Sequence, residues 1–70
     1  MIPLCFMETG EEASVKRVGG TPEVKKHLEN LGFVPGHAVS VVSKIHGNLI
    51  VKVKESRVAL DEGMARKIMV

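Results

Sequence analysis

From Val24 onward the apolar positions of the chain keep first one period and then another. Val24, Leu28 and Leu31 recur at i, i+4 and i+7, which is one stripe of an amphipathic helix. Leu49, Val51 and Val53 alternate with Lys52 and Lys54, the two-residue period of a strand with one buried face. Between these two segments the punctuation is clear. Thr21 can cap the helix with its hydroxyl, and Pro22 suits the first helical position, where its missing N–H has no partner to lose. Gly32 falls just past the stripe, where a left-handed C-terminal cap is wanted. Val34-Pro35-Gly36-His37 then has Pro and Gly at the central positions of a type II turn, so the chain reverses into strands.

The same reading extends to both sides. Ala13 to Val18 forms a first strand, but Ala13 and Val15 share a face that Val18 does not, which requires a bulge or an early exit. Val39 and Val41 alternate with Ser40 in a second strand whose end is blurred by Val42, Ser43 and Lys44. His46-Gly47-Asn48 is a connection of hairpin length into the third strand, and Glu55-Ser56 turns the chain into a fourth containing Val58 and Leu60. Asp61 caps one helical turn holding Met64 and Ala65, and Ile68 to Val70 is a fifth strand. Near the N-terminus Leu4 and Met7, one helical turn apart, lie over an open end of the core. The pattern predicts a mainly β domain over residues 1–70 with one short helix: a small, five-stranded, partly open barrel. Its inward positions are Val15, Val39, Val41, Leu49, Val51, Val53, Val58, Leu60, Ile68 and Val70.

Charge and composition narrow the function. Ten Lys and Arg against eight Asp and Glu leave a net charge of +2, too weak to argue for a polyanionic partner. The only aromatic residues are Phe6 and Phe33, which argues against base stacking on a single strand of nucleic acid. Cys5 is alone, so no intramolecular disulfide forms and a reducing compartment is expected. The apolar run from Met1 to Met7 is too short to span a membrane or to act as a signal peptide, and the expected address is the cytoplasm. Any membrane association would come through a partner. The strand edges of a small barrel leave weak self-association open.

Chemistry is sparse. A catalytic nucleophile needs a neighbouring base, and Cys5 sits in an apolar run where packing is the commoner role of a free cysteine. His27, His37 and His46 are spaced by ten and nine residues, which matches no close-ligand signature, so they are expected as solvated or edge side chains. Gly19-Gly20-Thr21 opens a helix but lacks the P-loop pattern. Lys52, Lys54 and Arg57 lie on the outward face of a hairpin, either as a solvated face or to meet an acidic patch on a partner. These residues describe a binding module, not an enzyme, with no catalytic residue, metal ligand or cofactor expected.

Four blocks in order give the chain a family likeness: Pro3-Leu4-Cys5-Phe6-Met7 with Gly10, Leu28-Glu29-Asn30-Leu31-Gly32-Phe33-Val34-Pro35-Gly36, Ser56-Arg57-Val58-Ala59-Leu60-Asp61, and Met64-Ala65-Arg66-Lys67-Ile68-Met69-Val70. They resemble the ferrous iron transport protein A (FeoA) family nearly end to end. The resemblance implies a Src-homology-3-like barrel and a small cytosolic accessory of bacterial ferrous iron uptake that acts by protein–protein interaction with the FeoB transporter. It carries over no catalytic residue. Leu31, Gly32, Pro35 and Gly36 match the family motif with an evident role in backbone geometry, and the neighbouring Phe33 and Val34 are expected as partner contacts, since large apolar residues beside a Pro-Gly turn are hard to bury. The alternative function is a metal-responsive protein in which histidines, with Cys5, hold iron or zinc. A similar domain ends certain iron- or manganese-dependent repressors, after a DNA-binding region for which this sequence leaves no room.

Overall fold

The structure, a computed structural model, describes residues 1–70. In chain order its elements are a 3-10 turn at Leu4–Phe6, β1 (Glu12–Ser14), β2 (Arg17–Val18), α1 (Pro22–Leu31), β3 (Ala38–Ile45), β4 (Asn48–Val53), β5 (Ser56–Leu60), α2 (Glu62–Ala65) and β6 (Ile68–Met69).

Helix α1 begins and ends as its sequence dictates. Thr21 Oγ1 accepts the N–H of Val24 at 3.3 Å, and Gly32 terminates the helix in the left-handed region at φ 112°. The N–H of Gly32 donates to the Glu29 carbonyl at 3.0 Å and that of Phe33 to the Leu28 carbonyl at 3.1 Å. These are the two bonds of a Schellman motif, in which the residue after the left-handed position packs back on the last helical turn. Pro35-Gly36 then makes the expected turn: Gly36 has φ 94°, and the N–H of His37 donates to the Val34 carbonyl at 2.9 Å.

Four strands form an antiparallel sheet in the order β1-β3-β4-β5, and β2 pairs with β6 in a second, two-stranded sheet. The N-terminal segment extends the second sheet, with Pro3 bridged to Met69 and reciprocal backbone bonds of 2.9 and 2.8 Å between Ile2 and Val70. The two sheets enclose the core without closing into a continuous barrel. Six short strands replace the five expected, because the segment Ala13–Val18 is not one strand. Ala13 pairs with Val39 in the first sheet, whereas Val18 pairs with Ile68 in the second. The chain changes sheets in between, so Val15 and Val18 are both buried although they are out of phase.

Two further irregularities have local causes. The register of β3 against β4 shifts between Val41 and Ser43, a bulge at Val42 that accounts for the broken alternation there. The β4–β5 turn is Lys54-Glu55, one residue earlier than expected, because Ser56 already pairs with Val53. Asp61 caps α2 as expected, its Oδ1 accepting the N–H of Met64 at 2.8 Å.

Every expected inward position is buried except Val58, which is half-buried. Leu4, Met7, Val18, Leu28, Phe33 and Ala65 complete the core. Of the helical stripe only Leu28 is fully buried, while Val24 and Leu31 pack against the core from its margin.

Candidate functional site

The sheet β1-β3-β4-β5 is one-sided, and its solvent face is the most distinctive surface of the molecule. Alternation along β4 sends Leu49, Val51 and Val53 into the core and Asn48, Ile50 and Lys52 outward. The β4–β5 register sets Lys52 directly opposite Arg57 and Ile50 opposite Ala59. Lys54 follows at the turn with φ 55°. The face therefore divides into a basic half and an apolar half.

Each half has its own shallow groove. The basic one, about 530 Å³ and open to solvent, runs beside Glu12, His37, Ser40, Lys52 and Lys54. The apolar one, about 360 Å³, lies between Ile45, Ile50, Ala59 and Leu60 with Asp61 at its rim. Ile45 and Ile50 remain 59% and 37% exposed there. The ion pairs of the molecule are Lys44–Glu8 at 3.9 Å and Arg66–Glu62 at 2.6 Å, so Lys52, Lys54 and Arg57 have no carboxylate within 4.0 Å.

Phe33, expected as an exposed partner contact, is instead completely buried. The Schellman motif places it at the position whose side chain folds back toward Leu28, and both residues belong to the core. A ring with no accessible surface offers a partner nothing to touch. Val34 is half-buried at the same corner. Gly32 and Gly36 hold the left-handed positions of the helix cap and the turn, Pro35 is the exposed apex, and Leu31 is half-buried.

The histidines do not converge. His27 is exposed on α1, and His46 occupies a hairpin turn. His37 is half-buried with Nδ1 at 3.2 Å from the Gly32 carbonyl oxygen, where it ties the helix cap to the start of β3. No three His, Cys, Asp or Glu side chains are grouped to hold a metal ion. Cys5 is half-buried against the core. No helix is long and apolar enough to cross a membrane.

Sequence reasoning found the three cations but missed both the like-charge register and the apolar half beside it. A signal for the latter was present: Ile50 breaks the polar phase of the β4 alternation. The Lys52–Arg57 pairing required the turn to be placed at Lys54, and the sequence reading had it one residue late.

Comparison with known proteins assigns the fold. The FeoA domain matches residues 2–70. The chain belongs to the FeoA domain family. A curated relative from Methanocaldococcus jannaschii, provisionally named Fe(2+) transport protein A, is 34% identical over 70 residues, covering 100% of this chain and 85% of the relative. Among solved structures, Stenotrophomonas maltophilia FeoA complexed with zinc, described as a procaryotic SH3 domain protein, superposes with a TM-score of 0.86 at 27% identity, covering 99% of this chain and 88% of that one. An iron uptake regulatory protein (FeoA) gives the same TM-score, 0.86, at 27% identity, with coverages of 96% and 89%. A manganese-dependent transcriptional repressor shares the fold alone, at 19% identity and a TM-score of 0.86 over 38% of its length. This FeoA domain is thus a small SH3-like fold of the ferrous iron transport protein A family.

Proposed function

We propose that this FeoA domain is an accessory of ferrous iron uptake that acts by docking on the cytosolic side of a FeoB-type transporter, itself taking no part in chemistry. The observation that carries the reading is the match of residues 2–70 to a ferrous iron transport family. The solvent face supports it: its grooves are shallow and open, and unpaired cations lie beside exposed Ile45 and Ile50. Mixed apolar and cationic surface of this kind suits recognition of another protein more than enclosure of a small molecule.

Co-expression of the untagged chain with an affinity-tagged cognate transporter tests this. The account expects the chain to co-purify in detergent at constant stoichiometry. Absence from the eluate across mild detergents contradicts it.

A second reading, metal-responsive binding, is favoured by the zinc in the Stenotrophomonas maltophilia relative. Here no three ligands converge within one molecule, which weighs against it, and metal held only between two copies does not meet it. Equilibrium dialysis decides: stoichiometric metal in the monomer, lost with single histidine substitutions, establishes this second reading.

A further inference from the structure

The free edge of the sheet lies against its basic face. Strand β5 pairs on one side only, with β4. Because the Lys54-Glu55 connection has two residues, Val53 and Ser56 form the hydrogen-bonded pair next to the turn. Hydrogen-bonded and non-hydrogen-bonded pairs alternate along an antiparallel ladder, so the N–H and C=O groups of Arg57 and Ala59 point away from β4. None of the backbone bonds outside the ladders and helices engages either residue.

Beside this edge two cations stand directly across from each other. Like charges at opposed positions on a sheet destabilise it, and here no carboxylate within 4.0 Å of Lys52, Lys54 or Arg57 relieves them. Arg57, the one charged residue of β5, is the kind of edge charge that discourages aggregation. Lys52, Arg57 and the neighbouring Lys54 outnumber the carboxylate that shares the groove of the two lysines, Glu12, which lies in register two strands from Lys52 on the side away from β5. The next outward pair, Ile50 and Ala59, is apolar and opens on the groove beside Ile45.

We propose that β5 accepts an extended acidic segment of a partner protein as an added strand. The segment carries an acidic side chain facing Arg57 and an aliphatic one two residues away facing Ala59 and Ile50. Backbone pairing supplies the affinity, while the alternate side chains select the sequence. The same cations turn away a second copy of this chain, whose β5 edge is also basic. This inference rests on the interaction-module reading and names the partner's chemistry.

The test is a nitrogen-15 NMR titration of the full chain with the capped octapeptide Thr-Glu-Thr-Val-Thr-Glu-Thr-Val, whose glutamates and valines fall on one face of a strand, with the peptide carrying lysine in place of glutamate as control. The glutamate peptide should shift the amide signals of Arg57 and Ala59 and slow their hydrogen exchange, and the lysine peptide should not. Arg57→Glu should weaken the glutamate peptide about tenfold, without lowering the melting temperature, because it puts opposite charges across from each other at Lys52. Ala59→Pro removes an outward N–H from an edge strand and should weaken binding with all charges kept. Equal response to both peptides, or shifts confined to another surface, overturns the proposal.

The transporter separates this inference from the broader reading. Undiminished co-purification of Arg57→Glu with a transporter that retains the wild type removes the β5 site and leaves docking standing. Peptide binding at β5 by a chain that no transporter retains does the reverse.

Discussion

The backbone N–H of Phe33 donates to the Leu28 carbonyl at 3.1 Å, and this bond turns the aromatic ring under the end of α1. Both side chains are completely buried. The residue that follows the helix cap is therefore a core residue, and the Pro35-Gly36 turn comes two positions later than the chain's return to the interior.

Truncation of that ring should be close to the limit of what the domain tolerates. Phe→Ala in a core costs about 3–5 kcal/mol, while small domains have only about 5–15 kcal/mol in total. Phe33→Ala should lose most of its cooperative melting by circular dichroism, and Phe33→Leu should stay folded with a lower melting temperature. A Phe33→Ala chain that melts like the wild type contradicts the buried placement.

Gly32 and Gly10 both have positive φ, at 112° and 91°, but differ in surroundings. A Cβ on Gly32 would lie 3.3 Å from Val53 Cγ2, and one on Gly10 would meet nothing within 4 Å. Left-handed backbone alone costs a non-glycine residue about 1–2 kcal/mol. Urea denaturation should therefore show Gly10→Ala destabilised by about that amount and Gly32→Ala by more. Equal losses at the two sites would show that the Val53 contact is slack.

The β3–β4 hairpin turns through His46 at φ 51° and Gly47 at φ 83°. Both central residues are left-handed, the requirement of a type I′ turn, and Asn-Gly meets it best. His46→Asn should raise stability by up to about 1 kcal/mol, read as a higher urea midpoint with an unchanged slope. A decrease would mean that the imidazole makes a contact which its place in the turn does not suggest.

Periodicity and capping made much of this fold legible in advance. Thr21, Pro22 and Gly32 bound α1 as read, and the inward residues of β3 and β4 are buried as read. Where the reading failed, the cause was tertiary. Val18 leaves the phase of Ala13 and Val15 because the chain passes from one sheet to the other, and local alternation cannot record a change of pairing partner. Phe33 was misplaced because a Pro-Gly turn signals the surface, while the Schellman bonds that come first direct the side chain inward. The solvent face was only half legible, since charges can be counted in sequence but their opposition across β4 and β5 depends on register.

The most direct measurement of the central claim is a binding isotherm of the fluorescently labelled full chain against its purified FeoB-type transporter in detergent. It should be recorded with and without guanine nucleotide and with and without ferrous iron. The account predicts saturable binding that unlabelled chain competes away. Loss of a saturable signal in every nucleotide and iron state, with a transporter that still binds nucleotide, would contradict it.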